Sequence, residues 1–378
     1  MFENLLSWLL LPLGVVLGLS LARKRDGEAP PDIRADALAG LSSLARNQDE
    51  QAITALTRAV EIEPGTVELQ MTLGSLFRKR GEIDRAILLH EAVLARAGLK
   101  PEEASAARYE LAQDYLRAGV MDRAEALLQT LVASGVQLAP ALELLLDLYE
   151  QGRDWPQAIA TATRLQAVRG SSLAPRIAQY YCEIAESGRH AGDTDSAARE
   201  ADKALDIDRS CTRASLLLGA MAEARADWPA AIRAYERVVE QDSRYLPEVL
   251  APLALCYAQA GDTAGYIRFL DDTEADHPEV VAVTLARAEH LRSTDGDAQT
   301  YLAKRLAATP SWRGLLFWLD GQMPEDADAA SIRAALRGKL DRQPRYVCSG
   351  CGLQPSVLFW QCPGCKQWAT IAPVTDRI

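Results

Sequence analysis

The stretch ARNQDEQAITALTRAVEIEP, residues 45–64, matches RKRGEIDRAILLHEAVLARA, residues 78–97, with Ala52 and Ala86 in register 34 residues apart. Further copies follow in YLRAGVMDRAEALLQTLV around Gly119 and Ala124, YEQGRDWPQAIATATRL around Ala158, and GRHAGDTDSAAREADKALDID around Gly192 and Ala197. Two more are EARADWPAAIRAYERVVEQD around Ala231 and a weaker AQAGDTAGYIRFLDD near Gly261. Each copy joins two amphipathic helical stretches through a short turn. Glycine in the turn (Gly81, Gly119, Gly192, Gly261) permits a tight antiparallel helix pair, and the recurring alanine lets the next helix pack closely. In the two Asp-Trp-Pro stretches, 154–156 and 227–229, the Asp can cap the second helix and the Pro can occupy its first turn, where the missing N–H costs little. One such pair cannot bury its own apolar face, so the stack is stable only as an array.

The spacing and pattern resemble the tetratricopeptide repeat. The expected fold class is therefore all-α: a tetratricopeptide-repeat superhelix with a concave face. Seven recognisable copies and a degenerate eighth, AVTLARAEHLRSTDGDAQTYLAKRLAATP, fill roughly residues 35–310, and spacings of 38 or 39 between some copies imply longer loops there. With the helix-like AASIRAALRGKL, the array is expected to span 35–340.

Composition and motifs narrow the function. The 378 residues carry 52 acidic and 41 basic side chains, a formal charge of -11, with no basic patch standing out, which argues against nucleic acid as a partner. His90, His190, His277 and His290 are scattered, and no His-Glu-x-x-His, Gly-x-Ser-x-Gly or phosphate-binding loop occurs. Asp271 and Asp272 read as a solvated helix end. No enzyme is expected; a protein-binding surface is, with the groove as its default site.

The chain ends differently. YVCSGCGLQPSVLFWQCPGCKQW, residues 346–368, holds two Cys-x-x-Cys pairs, Cys348 with Cys351 and Cys362 with Cys365. Two tight turns aim four soft thiolates at one point and suit a tetrahedral metal site, with Gly350, Gly352, Pro363 and Gly364 fitting the turns. Val357–Trp360 has β character and is expected to form a strand between them. A module of this size, 341–378, has too little core to fold without a staple. One structural metal ion is expected; zinc is the default, and the same ligands would hold iron. A thioredoxin-like redox pair is disfavoured, because two matched pairs are present without a βαβ pattern. A nucleic-acid-binding ribbon is disfavoured by the few basic residues nearby, Arg345 and Lys366. Tyr346, Trp360 and Trp368 are expected to pack the module onto neighbouring repeats. The other cysteines, Cys182, Cys211 and Cys256, read as isolated buried thiols and fit a reducing compartment.

At the other end, Leu5–Ala22 carries no charge and at helical rise spans about 27 Å, enough for a hydrocarbon core. It reads as a retained transmembrane anchor, residues 1–22, rather than a cleaved signal, because MFEN lacks a basic n-region and no Ala-x-Ala site follows. Arg23, Lys24 and Arg25 open a linker, 23–34, and place everything downstream in the cytoplasm. Gly14 and Gly18 share a face that another membrane helix could approach.

An anchor ending in a basic cluster, an array containing TLGSLFRKRGEIDRAILLHE and YYCEIA, and a terminal PRYVCSGCG with LFWQCPGC together resemble the lipopolysaccharide assembly protein B family over nearly the full chain. The resemblance implies a bacterial inner-membrane adaptor whose soluble part faces the cytoplasm and controls lipopolysaccharide synthesis. Implied partners are the membrane-bound ATP-dependent zinc protease, the lipid A-committing deacetylase whose degradation it promotes, and an inner-membrane lipopolysaccharide-sensing regulator. It also implies a rubredoxin-type metal domain packed on the repeats. A general scaffold for lipopolysaccharide synthesis and transport enzymes is the alternative, and the oligomeric state, a homo-oligomer included, is left open.

Overall fold

The computed structural model describes residues 33–63, 65–294, 296–322 and 327–374. The anchor expected at 1–22, with Gly14 and Gly18, and nearly all of the linker lie outside these residues. Among the described residues no helix is long and apolar enough to cross a membrane.

The chain divides into two compact units, one ending at Gly152 and one beginning at Arg153. The first holds helices α1 (Ile33–Ala45), α2 (Asp49–Ile62), α3 (Val67–Arg80), α4 (Ile83–Leu94), α5 (Pro101–Ala118), α6 (Met121–Ser134) and α7 (Leu138–Gly152). The second begins with α8 (Trp155–Arg169), α9 (Ala174–His190), α10 (Thr194–Ile207), α11 (Thr212–Ala224) and α12 (Trp228–Gln241). After a 3₁₀ turn at Ser243–Tyr245 come α13 (Leu246–Ala260), α14 (Thr263–Asp276), α15 (Val281–Ser293), α16 (Ala298–Ala308), α17 (Trp312–Gln322) and α18 (Ala327–Leu340). Strands β1 (Tyr346–Cys348) and β2 (Ile371–Pro373) close the chain as an antiparallel pair, with Val347 opposite Ala372.

The repeat signature has a direct physical meaning here. Ala52, Ala86, Ala124, Ala158, Ala197 and Ala231 are all completely or almost completely buried, each early in the second helix of its pair. Space is as tight on the first helices: a Cβ on Gly74 would lie 2.4 Å from the His90 ring, and one on Gly219 would lie 2.4 Å from the Tyr235 ring. The helix starts behave as their residues require. The Asp154, Asp193, Asp227, Asp262 and Asp297 carboxylates accept from backbone N–H groups of the first turn, and Pro156 and Pro229 sit within that turn.

The residue before the Asp154, Asp193, Asp227 and Asp262 caps is left-handed, whether or not glycine supplies it. Gly81, Gly119, Gly192 and Gly261 have φ between 72° and 92°, and Asn47, Arg153 and Ala226 stand at the equivalent positions with φ of 55°, 55° and 56°. The degenerate eighth copy forms α15 and α16. A further pair follows in which α17, not singled out in the sequence, precedes the expected helix α18.

Two expectations are corrected. Val357–Trp360 forms no strand; the only pairing near it is an isolated bridge between Gln361 and Trp368. Leu358 and Trp360 face the helical core of the second unit while Val357 and Phe359 are exposed, so the segment alternates as a strand would but lies on helices. Cys182 and Cys211 are not isolated: α9 and α11 bring their sulfurs to 3.7 Å. Cys256 is buried in the core around α12–α14.

Candidate metal centre

Two knuckles carry the four thiols. In the first, the Gly352 N–H donates to Cys348 O (2.9 Å) and the Cys348 N–H donates to Leu353 O (2.8 Å), with Gly352 left-handed at φ 76°. The second repeats this plan: the Lys366 N–H donates to Cys362 O (2.8 Å) and the Cys362 N–H to Gln367 O (2.9 Å). Its left-handed residue is Lys366 at φ 61°, so only one knuckle uses glycine for the reversal. Gly350 and Gly364 lie beside the opposite knuckle: a Cβ on either would come into contact, at 3.4 Å, with a sulfur there, Cys365 and Cys351 respectively. The β1–β2 pair then fixes the base of the first knuckle, and the Ser349 N–H donates to Thr370 O at 2.8 Å.

The result is one cluster. The sulfurs of Cys348, Cys351, Cys362 and Cys365 all lie within 4.8 Å of one another, with Cys348 to Cys365 at 3.7 Å and Cys351 to Cys362 at 3.6 Å. A tetrahedral ion with metal–sulfur bonds of about 2.3 Å requires sulfur–sulfur edges of about 3.8 Å, so the donor set and its spacing fit such an ion. Four thiols this close cannot all ionise without a cation among them. Cys348 and Cys362 are buried, Cys365 is half-buried and Cys351 is exposed. The Thr370 hydroxyl, 3.3 Å from Cys348 Sγ, is the main influence that brings the Cys348 thiol down to about 6. Thr370 falls in the terminal motif that carries the family resemblance, but nothing in the sequence marked it for a role.

The module rests on the second unit through aromatic side chains. Trp360 stacks on Tyr245, with ring centroids 5.3 Å apart, and the Tyr245 hydroxyl donates to Ile371 O at 2.7 Å. Burial pushes the Tyr245 phenol up to about 12, so it remains a donor. Trp368 stands edge-on to Tyr180 and Trp155, at 5.9 and 6.0 Å, and those two rings stack on each other at 5.7 Å. The Tyr346 hydroxyl donates to Glu248 (2.8 Å), and Ala372 joins the core built by α11–α15. The Arg213 guanidinium, only 3% exposed, lies 5.8 Å from the Trp360 ring and is paired with Glu183 and Glu186. Tyr346, Trp360 and Trp368 thus pack the module onto repeats, as their sequence context suggested. Their partners Trp155, Tyr180, Arg213 and Tyr245 were not legible in advance.

The other expected non-site residues remain apart. Among the described residues, no group of three or more potential metal ligands forms outside the four cysteines. His90 is buried against Asp114, and Asp271 pairs with Arg287.

A helical repeat array that seats a four-thiol rubredoxin-type module defines the class of protein. Comparison with known proteins agrees: residues 346–373 match the rubredoxin metal binding domain, and 71–141, 109–175, 142–211 and 183–245 match the tetratricopeptide repeat. Lipopolysaccharide assembly protein B of Escherichia coli (strain K12) is 31% identical over 381 residues, covering 98% of each chain. The protein of that name from Haemophilus influenzae is 29% identical over 394 residues, again covering 98% of each. Among solved structures, MamA is similar at 19% identity, covering 47% of this chain and 92% of that one with a TM-score of 0.36. The chain belongs to the lipopolysaccharide assembly protein B family.

Proposed function

We propose that this protein is a cytoplasm-facing inner-membrane adaptor, not an enzyme, that limits lipopolysaccharide synthesis by delivering the lipid A-committing deacetylase to the membrane ATP-dependent zinc protease. Family membership along almost the whole chain carries this reading. In it, residues 1–22 anchor the chain, 23–34 are the linker, 35–340 offer the binding surface, and 341–378 form the metal module. Cys348, Cys351, Cys362 and Cys365 hold one structural ion, zinc or iron, whose role is to fix the module on its aromatic seat. An inner-membrane regulator that senses lipopolysaccharide restrains the adaptor. Confinement to the membrane plane raises the effective concentration of protease and substrate without new contacts.

The test is deacetylase half-life in a depletion strain complemented with the full chain or with a chain lacking residues 1–22. The full chain is expected to restore rapid turnover, and the truncated chain to fold yet fail. Full regulation by the truncated form would contradict the role of the anchor. The relatives' name, with its reference to assembly, favours a second reading: a scaffold for lipopolysaccharide synthesis and transport enzymes. Pull-down from solubilised membranes separates the two, since the scaffold predicts synthesis enzymes in the complex and an unchanged deacetylase half-life.

A further inference from the structure

The four-thiol cluster is not the only place where sulfurs meet. Cys182 on α9 and Cys211 at the N-cap of α11 are 29 residues apart in sequence, and their sulfurs are 3.7 Å apart in a layer where they are 0% and 3% exposed. The surroundings of the two sulfurs differ. Cys211 sits at a helix N-terminus, takes a contact from the Gln179 side-chain amide at 3.7 Å, and has Arg213 two residues on. A helix N-terminus and a nearby guanidinium both favour thiolate. The contact between the two sulfurs is the first cause of opposite shifts, lowering the Cys211 thiol and raising that of Cys182. The layer also holds unused polar atoms: Arg213 Nε and Nη1, Gln179 Oε1 and the Ser215 hydroxyl are buried without hydrogen-bond partners.

We propose that Cys182 and Cys211 are an oxidation site, a dithiol that a hydroperoxide converts into a reversible disulfide tying α9 to α11. The Cys211 thiolate attacks one oxygen of the peroxide, the O–O bond breaks, and the departing hydroxide takes up the proton that the Cys211 thiol gave up and leaves as water, giving a sulfenic acid on Cys211. The Cys182 sulfur then attacks the Cys211 sulfur, the S–O bond breaks, and hydroxide leaves with the Cys182 proton as a second water. Two thiols are oxidised, one peroxide is reduced to two waters, and a reducing thiol pair reverses the change by exchange. Burial restricts the oxidant to one as small as hydrogen peroxide, and the spare donors of Arg213 and Ser215 can receive the departing hydroxide.

The location gives the bond a consequence. α9 carries Tyr180, which packs on Trp368, and α11 carries Arg213, which faces Trp360. The tie therefore joins the two helices under the metal module. It also differs from oxidation of the module itself, whose sulfurs are engaged when the ion is bound.

The full chain, purified with its metal, is exposed to hydrogen peroxide, blocked with N-ethylmaleimide and digested with trypsin without reductant. Cleavage at the flanking arginines isolates residues 177–189 and 210–213. The expected result is loss of both maleimide-labelled peptides in step and appearance of a joined peptide two hydrogens lighter than the sum of the two unlabelled peptides, with metal content unchanged. Dithiothreitol restores both. Cys182→Ala and Cys211→Ala should each abolish the joined peptide, and a melting profile like that of the parent establishes that they fold. The proposal is overturned if both thiols remain labelled at a dose that ejects the metal, or if Cys211 is driven to sulfinic acid while Cys182 stays free.

Discussion

The two units solve one packing problem in different ways. In the first, buried polar groups complete each other between helices. His90 Nδ1 and Asp114 Oδ2 are 2.5 Å apart with both side chains wholly buried, and Arg78 spans from Asp114 (2.8 Å) to Glu110 (2.5 Å), with Ser75 also donating to Glu110. His90 Nε2 faces Met71 O at 3.3 Å, so both ring nitrogens have partners. In the second unit the corresponding layer is aromatic and open-ended. Tyr245, Tyr180 and Trp155 are covered by Trp360 and Trp368 of the module, and Arg213 keeps two nitrogens unpaired. The same repeat can thus be closed by its own ion pairs or shaped to receive another element. The module is part of the second unit's core rather than an attachment to it.

The largest break in this comparison comes at the clasp. Cys348→Ser removes a buried ligand and should unfold the module, because its two short strands and two knuckles have little apolar core of their own. Trp360 and Trp368 then lose their seats, so tryptophan emission should shift to the red, and limited proteolysis should cut near residue 341. Metal removal from the parent protein by a chelator should give the same result. The first unit should melt as before in both cases. A cysteine variant that lost its metal yet retained the parent emission spectrum would show that the aromatic seat holds without the clasp.

The converse break lies in the first unit. Asp114→Ala leaves His90 buried and Arg78 half-buried beside a missing carboxylate, and loss of one partner from a buried ionic group costs about 3–5 kcal/mol. Urea unfolding should show the loss confined to the transition of the first unit, with metal content of the module unchanged. An effect below about 1 kcal/mol would mean that the network is hydrated rather than closed.

What the sequence disclosed follows the range of the interactions. Ala52, Ala86 and Ala231 recur because helix pairing is a local, repeated constraint, and the Cys-x-x-Cys knuckles are local turns whose hydrogen bonds close within a few residues. Asp154 and Asp227 with Pro156 and Pro229 were legible for the same reason. Partners across long separations were not. Tyr245 and Ile371 are 126 residues apart, and nothing in either neighbourhood marks the bond. Cys182 and Cys211 sit in different repeats, so a reading by spacing treats them as unrelated. The strand expected at Val357–Trp360 failed because alternation reports which faces are buried, not whether a neighbouring strand exists to pair with.

A smaller change sharpens the clasp. Thr370→Val keeps the shape of the side chain and removes the hydroxyl beside Cys348 Sγ. Groups that hydrogen-bond to metal ligands typically contribute 10–100-fold in affinity, so metal retention against a competing chelator should fall about tenfold, or roughly 1.4 kcal/mol. Thr370→Ser should restore it. Equal retention by the valine variant would assign the hydroxyl to packing alone.

The smallest effect concerns the turns, where the two units place different residues at the same left-handed backbone angle. Ala226 is left-handed (φ 56°) between α11 and α12, with the Ala226 N–H donating to Glu223 O and the Asp227 N–H to Ala222 O, both at 2.9 Å. A non-glycine residue pays roughly 1–2 kcal/mol for this conformation. Glycine removes that strain but loses about 0.5–1 kcal/mol more backbone entropy on folding. Ala226→Gly should therefore stabilise the second unit by about 0.5–1 kcal/mol, read as a higher urea midpoint with an unchanged slope. In the first unit, Asn47 holds the equivalent turn at φ 55°. Asparagine tolerates that region through its short polar side chain, so Asn47→Gly should move the midpoint far less. Gly192→Ala gives the reverse sign: no atom lies within 4 Å of its added Cβ, so any loss of stability reports backbone strain alone. If Ala226→Gly and Asn47→Gly shifted their units equally, the left-handed turn would not distinguish alanine from asparagine here, and the repeat's preference for glycine would have to come from the unfolded chain.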